Sequence, residues 1–218
     1  MRQRIRGAAT GAAALAVVLG LSSACRPRRT PPQPPPPPPR LRLVAVGDIL
    51  MHQDVKASAE HAAQGFPALW ADLVPLFQGA DLAFGNLETP VAPTTGRPGV
   101  PFQFNAPATL PAALRASGFT VLSTANNHAF DQGGKGVRET LDRLHAEHLV
   151  AVGSGEDQSR AEALQMVERQ GLKIACLGFT DLFNIDLNRK ATEPWVRPLD
   201  LEPALAADCL RPAVPGDR

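Results

Sequence analysis

Three hydrophobic runs in this sequence end in polar, metal-capable residues: Gly47-Asp48-Ile49-Leu50-Met51-His52, Gly85-Asn86-Leu87-Glu88 and Asn126-Asn127-His128-Ala129-Phe130-Asp131. In an open α/β sheet, side chains at the carboxyl ends of neighbouring strands converge on one crevice. Three such ends in series therefore point to one shared site on a strand-and-helix fold.

The intervening pattern agrees. Leu41 to Val46 is short, apolar and rich in β-branched residues, and Asp48 closes it. Pro67 to Phe77 opens with proline and repeats apolar residues at helical spacing through Leu69, Trp70, Leu73, Val74 and Phe77. Strands are expected over 81–85, 119–124 and 149–152, with helices over 108–116 and 136–148, the last burying Val137, Leu141 and Leu144. This alternation implies βαβ units and a mainly parallel sheet covered by helices. Leu164 to Arg169 and Leu172 to Leu177, separated by Gln170-Gly171, read as an antiparallel hairpin. Beyond Thr180 the pattern fades, although Leu201 to Leu210 has helical character.

The first 40 residues differ from the rest. Arg2, Arg4 and Arg6 precede an apolar, small-residue run from Gly7 to Leu21, and Ser22-Ser23-Ala24 leads directly to Cys25. That three-part order is the pattern of an export signal, too short to span a bilayer with margin. Cysteine at the cleavage point resembles a bacterial lipobox and makes Cys25 the expected lipidation site; simple secretion with a free Cys25 is the alternative. Residues 31–39 are proline except for Gln33, a stiff polyproline tether with about 28 Å of reach at ~3.1 Å per residue. A docking site for a proline-recognising module is the competing use of such a stretch. The expected organisation is a signal peptide over 1–24, a tether over 25–40 and one domain over 41–218, exported and membrane-anchored, facing the periplasm or cell exterior.

Net charge conceals an asymmetry. The 218-residue chain is formally +1, yet residues 43–218 hold 14 basic and 21 acidic side chains, a formal charge of −7. An acidic body binds polyanions poorly unless metal ions reverse the local field, and the absence of Tyr with a low aromatic content argues against an aromatic-lined groove, so nucleic acid is not an expected partner. Cys176 sits in an apolar run and reads as a buried thiol; a disulfide with Cys209 remains open.

Taken one at a time, the polar strand ends have ordinary structural readings: a helix cap for Asp48, a solvated charge for Glu88, a turn pair for Asn126-Asn127. Together they offer hard oxygens from Asp48, Glu88 and Asn127, imidazoles from His52 and His128, and a supporting carboxylate from Asp131. That mixture suits divalent Mn, Fe or Zn used to bind phosphate or activate water.

In order and spacing, Val46 to His52, Gly85 to Pro90 and Ala125 to Gly133, with Phe102-Gln103-Phe104-Asn105-Ala106-Pro107 and Leu177-Gly178-Phe179-Thr180, resemble the capsule-synthesis CapA family. That family includes poly-γ-glutamate synthesis accessory proteins and belongs to the calcineurin-like metallophosphoesterase superfamily. The resemblance covers about Leu41 to Thr180. It implies an α/β fold, a metallophosphoesterase-like β-sheet sandwich flanked by helices and incomplete at the C-terminus. It makes Asp48, Glu88 and Asn127 metal ligands, His128 the residue that contacts phosphate and protonates the leaving oxygen, and Asp131 its orienting partner. His52 is a further ligand candidate, although superfamily members usually carry a histidine where Leu50 stands here.

The resemblance also sets an expectation of incompleteness. The family's later His-Trp-Gly and Gly-His-His-Pro-His segments have no counterpart here, and the other histidines, His61, His145 and His148, lie in helical or loop stretches. A shortened product is therefore expected, holding its metal weakly. The partners implied are an anionic capsule polymer or its synthesis complex, and the membrane through the N-terminal lipid. A non-catalytic assembly protein of the polymer machinery and an inactive fragment are the rival readings.

Overall fold

Leu43–Asp48 (β1) and Leu82–Asn86 (β2) are short apolar runs that each end in a polar residue, and they pair in parallel. Val121–Ser123 (β3) and Val150–Val152 (β4) continue the sheet, again in parallel, in the order β1-β2-β3-β4. The computed structural model describes residues 37–199. The expected lipidation site Cys25, the tether up to residue 36, Cys209 and the 201–210 helix lie outside that range.

Parallel neighbours require crossovers, and helices supply them. Gln53–His61 (α1), a 3₁₀ stretch over Phe66–Leu73 and Val74–Gln78 (α2) join β1 to β2. Leu110–Ser117 (α3) joins β2 to β3, and Gly133–Ala146 (α4) joins β3 to β4. Val137, Thr140, Leu141 and Leu144 form the inward stripe of α4, at the spacing that keeps one helix face against a sheet. Gly118 ends α3 at φ 110°, and a Cβ there would meet the Gln78 backbone nitrogen at 2.9 Å. Only glycine meets both demands.

The single helix expected over 67–77 is two pieces. Pro75 has no N–H to give the preceding turn, and the backbone already leaves helical geometry at Trp70 (φ −134°, ψ 30°), whose indole N–H donates to Ser117 Oγ at 2.7 Å. The polar helix α1 was not anticipated, because it buries only Ala59 and so carries no apolar stripe to read.

Burial divides the sheet into two faces. Ala83, Leu122 and Ala151 face the helices in the main core with Leu110, Leu114, Leu141 and Leu144. Leu82, Val121 and Val152 face the other way, against Val167. That second layer is the expected hairpin, Gln165–Arg169 (β6) paired antiparallel with Leu172–Cys176 (β7). Cys176 is half-buried there with no disulfide partner among the described residues, and burial pushes its thiol up. Helices, four-stranded sheet and hairpin make an α/β sandwich. Short elements complete it: Ser154–Gly155 (β5) pairs antiparallel with Trp195–Val196 (β8), and Gln158–Glu162 (α5) follows β5. No helix among the described residues is long and apolar enough to cross a membrane.

The segment after β2 is fastened to α4. The N–H groups of Thr94 and Thr95 donate to Glu139 at 3.1 and 2.7 Å, the Thr95 hydroxyl adds 2.7 Å, and Arg143 pairs with the same carboxylate at 2.7 Å. Burial opposes the charge, but the Thr95 hydroxyl, the Arg143 guanidinium and the two N–H groups outweigh it and lower this carboxyl to about 2.

Candidate functional site at the carboxyl edge of the sheet

All four parallel strands point the same way, so β1 delivers Asp48, β2 delivers Asn86 and Glu88, and the loop after β3 delivers Asn126 to His128 at one edge. Beyond the strands the backbones stay paired: Ile49 N–H donates to the Asn86 carbonyl at 2.7 Å and Leu87 N–H to the Ser123 carbonyl at 2.9 Å. The Met51 N–H donates to Thr89 Oγ1 at 2.8 Å.

A bulge decides where Asp48 points. Leu43, Val44 and Ala45 lie opposite Leu82, Ala83 and Phe84, yet Asp48 lies opposite Asn86, so β1 carries one extra residue around Val46-Gly47. Without it Asp48 would fall opposite Leu87, its side chain turned to the other face.

Asn86 joins the two carboxylates. Its Nδ2 donates to Asp48 Oδ1 at 2.9 Å and to Glu88 Oε2 at 3.0 Å. Its orientation follows from contacts further along. Asn126 Oδ1 accepts the His128 N–H at 3.2 Å and Asn126 Nδ2 donates to the Leu87 carbonyl at 2.9 Å. Asn126 must therefore present an N–H to Asn86, 3.1 Å away, which turns the Asn86 oxygen toward it and the Asn86 NH₂ toward the carboxylates.

The carboxylates are crowded. Glu88 is pushed above the ordinary carboxyl range first by burial, then by its hydrogen bond with Asp48 and the charge of Asp48, with His128 pulling the other way. Asp131 is raised by burial, which outweighs the donors it has, the Phe104 N–H at 2.6 Å and His128 at 2.9 Å. Its second oxygen, Oδ1, is buried with no hydrogen-bond partner among the described residues.

His128 and Asp131 form the pair expected of them, Nδ1 to Oδ2. A carboxylate oxygen accepts, so Nδ1 carries the proton and Nε2 is the free ring position. Asn184 Nδ2 lies 3.3 Å from both ring nitrogens, and Nε2 is the one able to accept from it. The Phe104 ring closes the other side at 4.6 Å between centroids.

Two candidates stand differently. His52 is exposed and packs edge-on against Phe104 at 4.8 Å, so a phenyl ring lies between it and His128. Asn127 is half-buried; its carbonyl accepts the Asn184 N–H at 3.1 Å, and its side-chain amide makes no hydrogen bond to the described residues. Asn86, Phe104, Asn126 and Asn184 were not assigned roles from sequence. Asn86 and Asn126 sit inside the recognised motifs and were legible as polar strand ends. Asn184 lies where the sequence carries no pattern.

Whether these residues suit a divalent cation turns on what lies between the carboxylates. There a partially positive NH₂ group meets both Asp48 and Glu88, so the position is shaped for a positive partner, and carboxylate with imidazole is a donor set such ions accept. Among the described residues, however, no three His, Cys, Asp or Glu side chains gather as one metal-holding group. A cleft of about 720 Å³ along α4 includes none of these residues in its lining; of the three carboxylates that do line it, Glu139, Asp142 and Glu193, the first is already saturated with donors.

Comparison with known proteins agrees with the motifs. Residues 42–206 match the family model described as bacterial capsule synthesis protein PGA_cap. The chain is 32% identical over 160 residues to the PGA biosynthesis protein CapA of Bacillus subtilis, covering 72% of this chain and 42% of that protein. It is 30% identical over 162 residues to the capsule biosynthesis protein CapA of Bacillus anthracis, covering 72% and 39%. The chain thus spans about two fifths of the length of these relatives. Its three strand ends, its parallel sheet and this match place the chain in the bacterial capsule synthesis PGA_cap family, a metallophosphoesterase-like α/β group whose members are associated in general with a divalent metal.

Proposed function

We propose that this chain carries a metallophosphoesterase-like site acting in capsule or poly-γ-glutamate synthesis or export. The observation that carries the reading is the amide-bridged carboxylate pair Asp48–Glu88 at the same sheet edge as the His128–Asp131 pair. Asp48 and Glu88, with Asn127 from the loop after β3, would hold a divalent cation, Mn, Fe or Zn, which when bound would polarise a phosphoryl oxygen. Asp131 holds the Nδ1 proton, leaving Nε2 as the position that delivers or takes a proton at the leaving oxygen. Phe104 and Asn184 keep the imidazole plane in place on two sides.

The proposed setting follows from the first 40 residues: an exported lipoprotein anchored through Cys25, with the proline-rich segment holding the domain off the membrane. The proposed partner is an anionic capsule polymer or the complex that makes it. A non-catalytic assembly role is the second reading, favoured by the absence of a three-residue metal cluster among the described residues.

Manganese titration, followed by hydrolysis of a chromogenic phosphodiester, separates the two. The catalytic reading expects metal-dependent turnover, low because the cation is weakly held, that falls at least a hundredfold in His128→Asn. An assembly protein shows no turnover with any of the three metals, and His128→Asn changes nothing. Replacing Cys25 by Ser tests the anchor: unchanged acylation and membrane partition would remove it.

A further inference from the structure

We propose that the apolar cleft between the carboxyl end of β1 and the 3₁₀ stretch is a binding site for the hydrocarbon tail of a lipid-like phosphate ester, whose phosphoryl head lies at the Asp48–Glu88 edge. The head half of this assignment rests on the strand-end reading above, and the tail half on the cleft alone.

The 66–78 region is apolar on both of its sides. Phe66 and Phe77 are buried, while Leu69 and Leu73 remain 39% and 46% exposed. A helical segment that is apolar all round belongs inside a core. Here it borders open space: Leu69, Trp70 and Leu73 line a cleft of about 270 Å³ together with Ile49 and Leu50 from just beyond β1. Buried Phe77, Leu114 and Phe119 make its floor. A Cβ on Gly85 would come within 2.8 Å of Ile49 Cδ1 and 3.0 Å of Phe119 Cε1, so glycine in β2 is what lets those two side chains approach each other.

The lining selects the ligand. Trp70 is fixed by stacking on Phe66, 6.3 Å between centroids, and its indole N–H is committed to Ser117 Oγ at 2.7 Å. Among the described residues that line the cleft, Asp48 is the only charged one, and with the indole spent no other side chain offers a hydrogen-bond donor. A sugar or a peptide lying here would bury polar groups unpaired, so the occupant is hydrocarbon. At the polar end stands Asp48, whose Oδ1 accepts from the same Asn86 amide that meets Glu88. The cleft therefore shares a wall with the position that the strand-end reading gives to a cation and a phosphoryl group. A tail in the cleft and a phosphoryl group on that cation are two ends of one molecule. Without the cation the Asp48 carboxylate repels a phosphate, so head and tail can be tested apart.

Calorimetric titration of the full, manganese-loaded chain with straight-chain alkyl phosphates from ethyl to octyl tests this. Affinity is expected to rise roughly fourfold for each added methylene until the cleft is full. Leu69→Gln and Leu73→Gln, both at partly exposed positions, should weaken octyl phosphate at least tenfold. Leu76→Gln, on the same stretch but outside the cleft, should leave it unchanged. Octyl phosphate binding no tighter than ethyl phosphate, by a chain that does bind manganese, overturns the tail site alone, as does an equal loss in Leu76→Gln. Octanol binding as tightly as octyl phosphate to the manganese-loaded chain overturns the phosphate ester as the ligand class. A chain that fails to bind manganese removes the strand-end reading and the head position with it. Alkyl alcohols in chelator-treated buffer then decide the tail half: a chain-length dependence lost in Leu73→Gln keeps the cleft, and a flat series removes it.

Discussion

Glu139 and Glu88 are the same side chain in opposite circumstances. Glu139 collects two backbone N–H groups, a hydroxyl and a guanidinium, and its carboxyl drops to about 2. Glu88 has one amide donor, shares it with Asp48, and is raised by burial and by that neighbour. The first arrangement stabilises the fold by fastening the 94–95 segment to α4. The second gathers like charges that a folded chain has no structural reason to bring together, which is how a site poised for a positive ligand differs from a structural ion pair.

The largest effect expected to sharpen this contrast is on metal affinity. Glu88→Gln should weaken manganese binding 10- to 100-fold, about 1.4–2.7 kcal/mol, as loss of a ligand or its support commonly does, while Glu139→Gln leaves it unchanged. Equal losses by calorimetry would break the distinction. Next comes stability: Glu139→Ala should cost about 2 kcal/mol in urea unfolding, less than its pKa shift taken at face value, because Arg143 is partly exposed and water screens the pair. A loss below about 0.5 kcal/mol would mean the latch is ornamental.

Acid resolves the same latch. The Glu139 pKa is depressed in the folded chain, so its contribution is fully present above the unfolded value of 4.5 and is lost as pH falls toward about 2. Wild type should therefore lose stability more steeply than Glu139→Gln across that window, and parallel curves would contradict the assignment. The smallest effect belongs to the site. In metal-free protein Glu88→Gln should leave stability unchanged or raise it by up to about 1 kcal/mol, because a like-charge contact is removed. A drop larger than that would make Glu88 a structural carboxylate like Glu139.

The strand–helix order, the hairpin and the stripe on α4 were all legible, because each depends on apolar spacing within a single segment. The His128–Asp131 pair was legible for a related reason: three residues apart in one loop, they meet through local geometry at 2.9 Å. The 67–77 region misled because its apolar spacing was helical while Pro75 and the turn at Trp70 broke the hydrogen-bond ladder. The two-residue strands β5 and β8 could not be seen, since each exists only through a partner some 40 residues away.

By itself the sequence determined that polar residues would gather at one sheet edge, since strand direction and strand-end composition are both written locally. Tertiary structure decided what those residues do there. The extra residue around Val46-Gly47 matters only against the register of β2, and it is what sets Asp48 opposite Asn86. The Asn86 amide has its direction from Asn126, 40 residues later, and Phe104 comes to lie between His52 and His128 only because its N–H is held by Asp131. Register and amide orientation are set by contacts between distant segments, and a residue's neighbours in the chain carry no record of them.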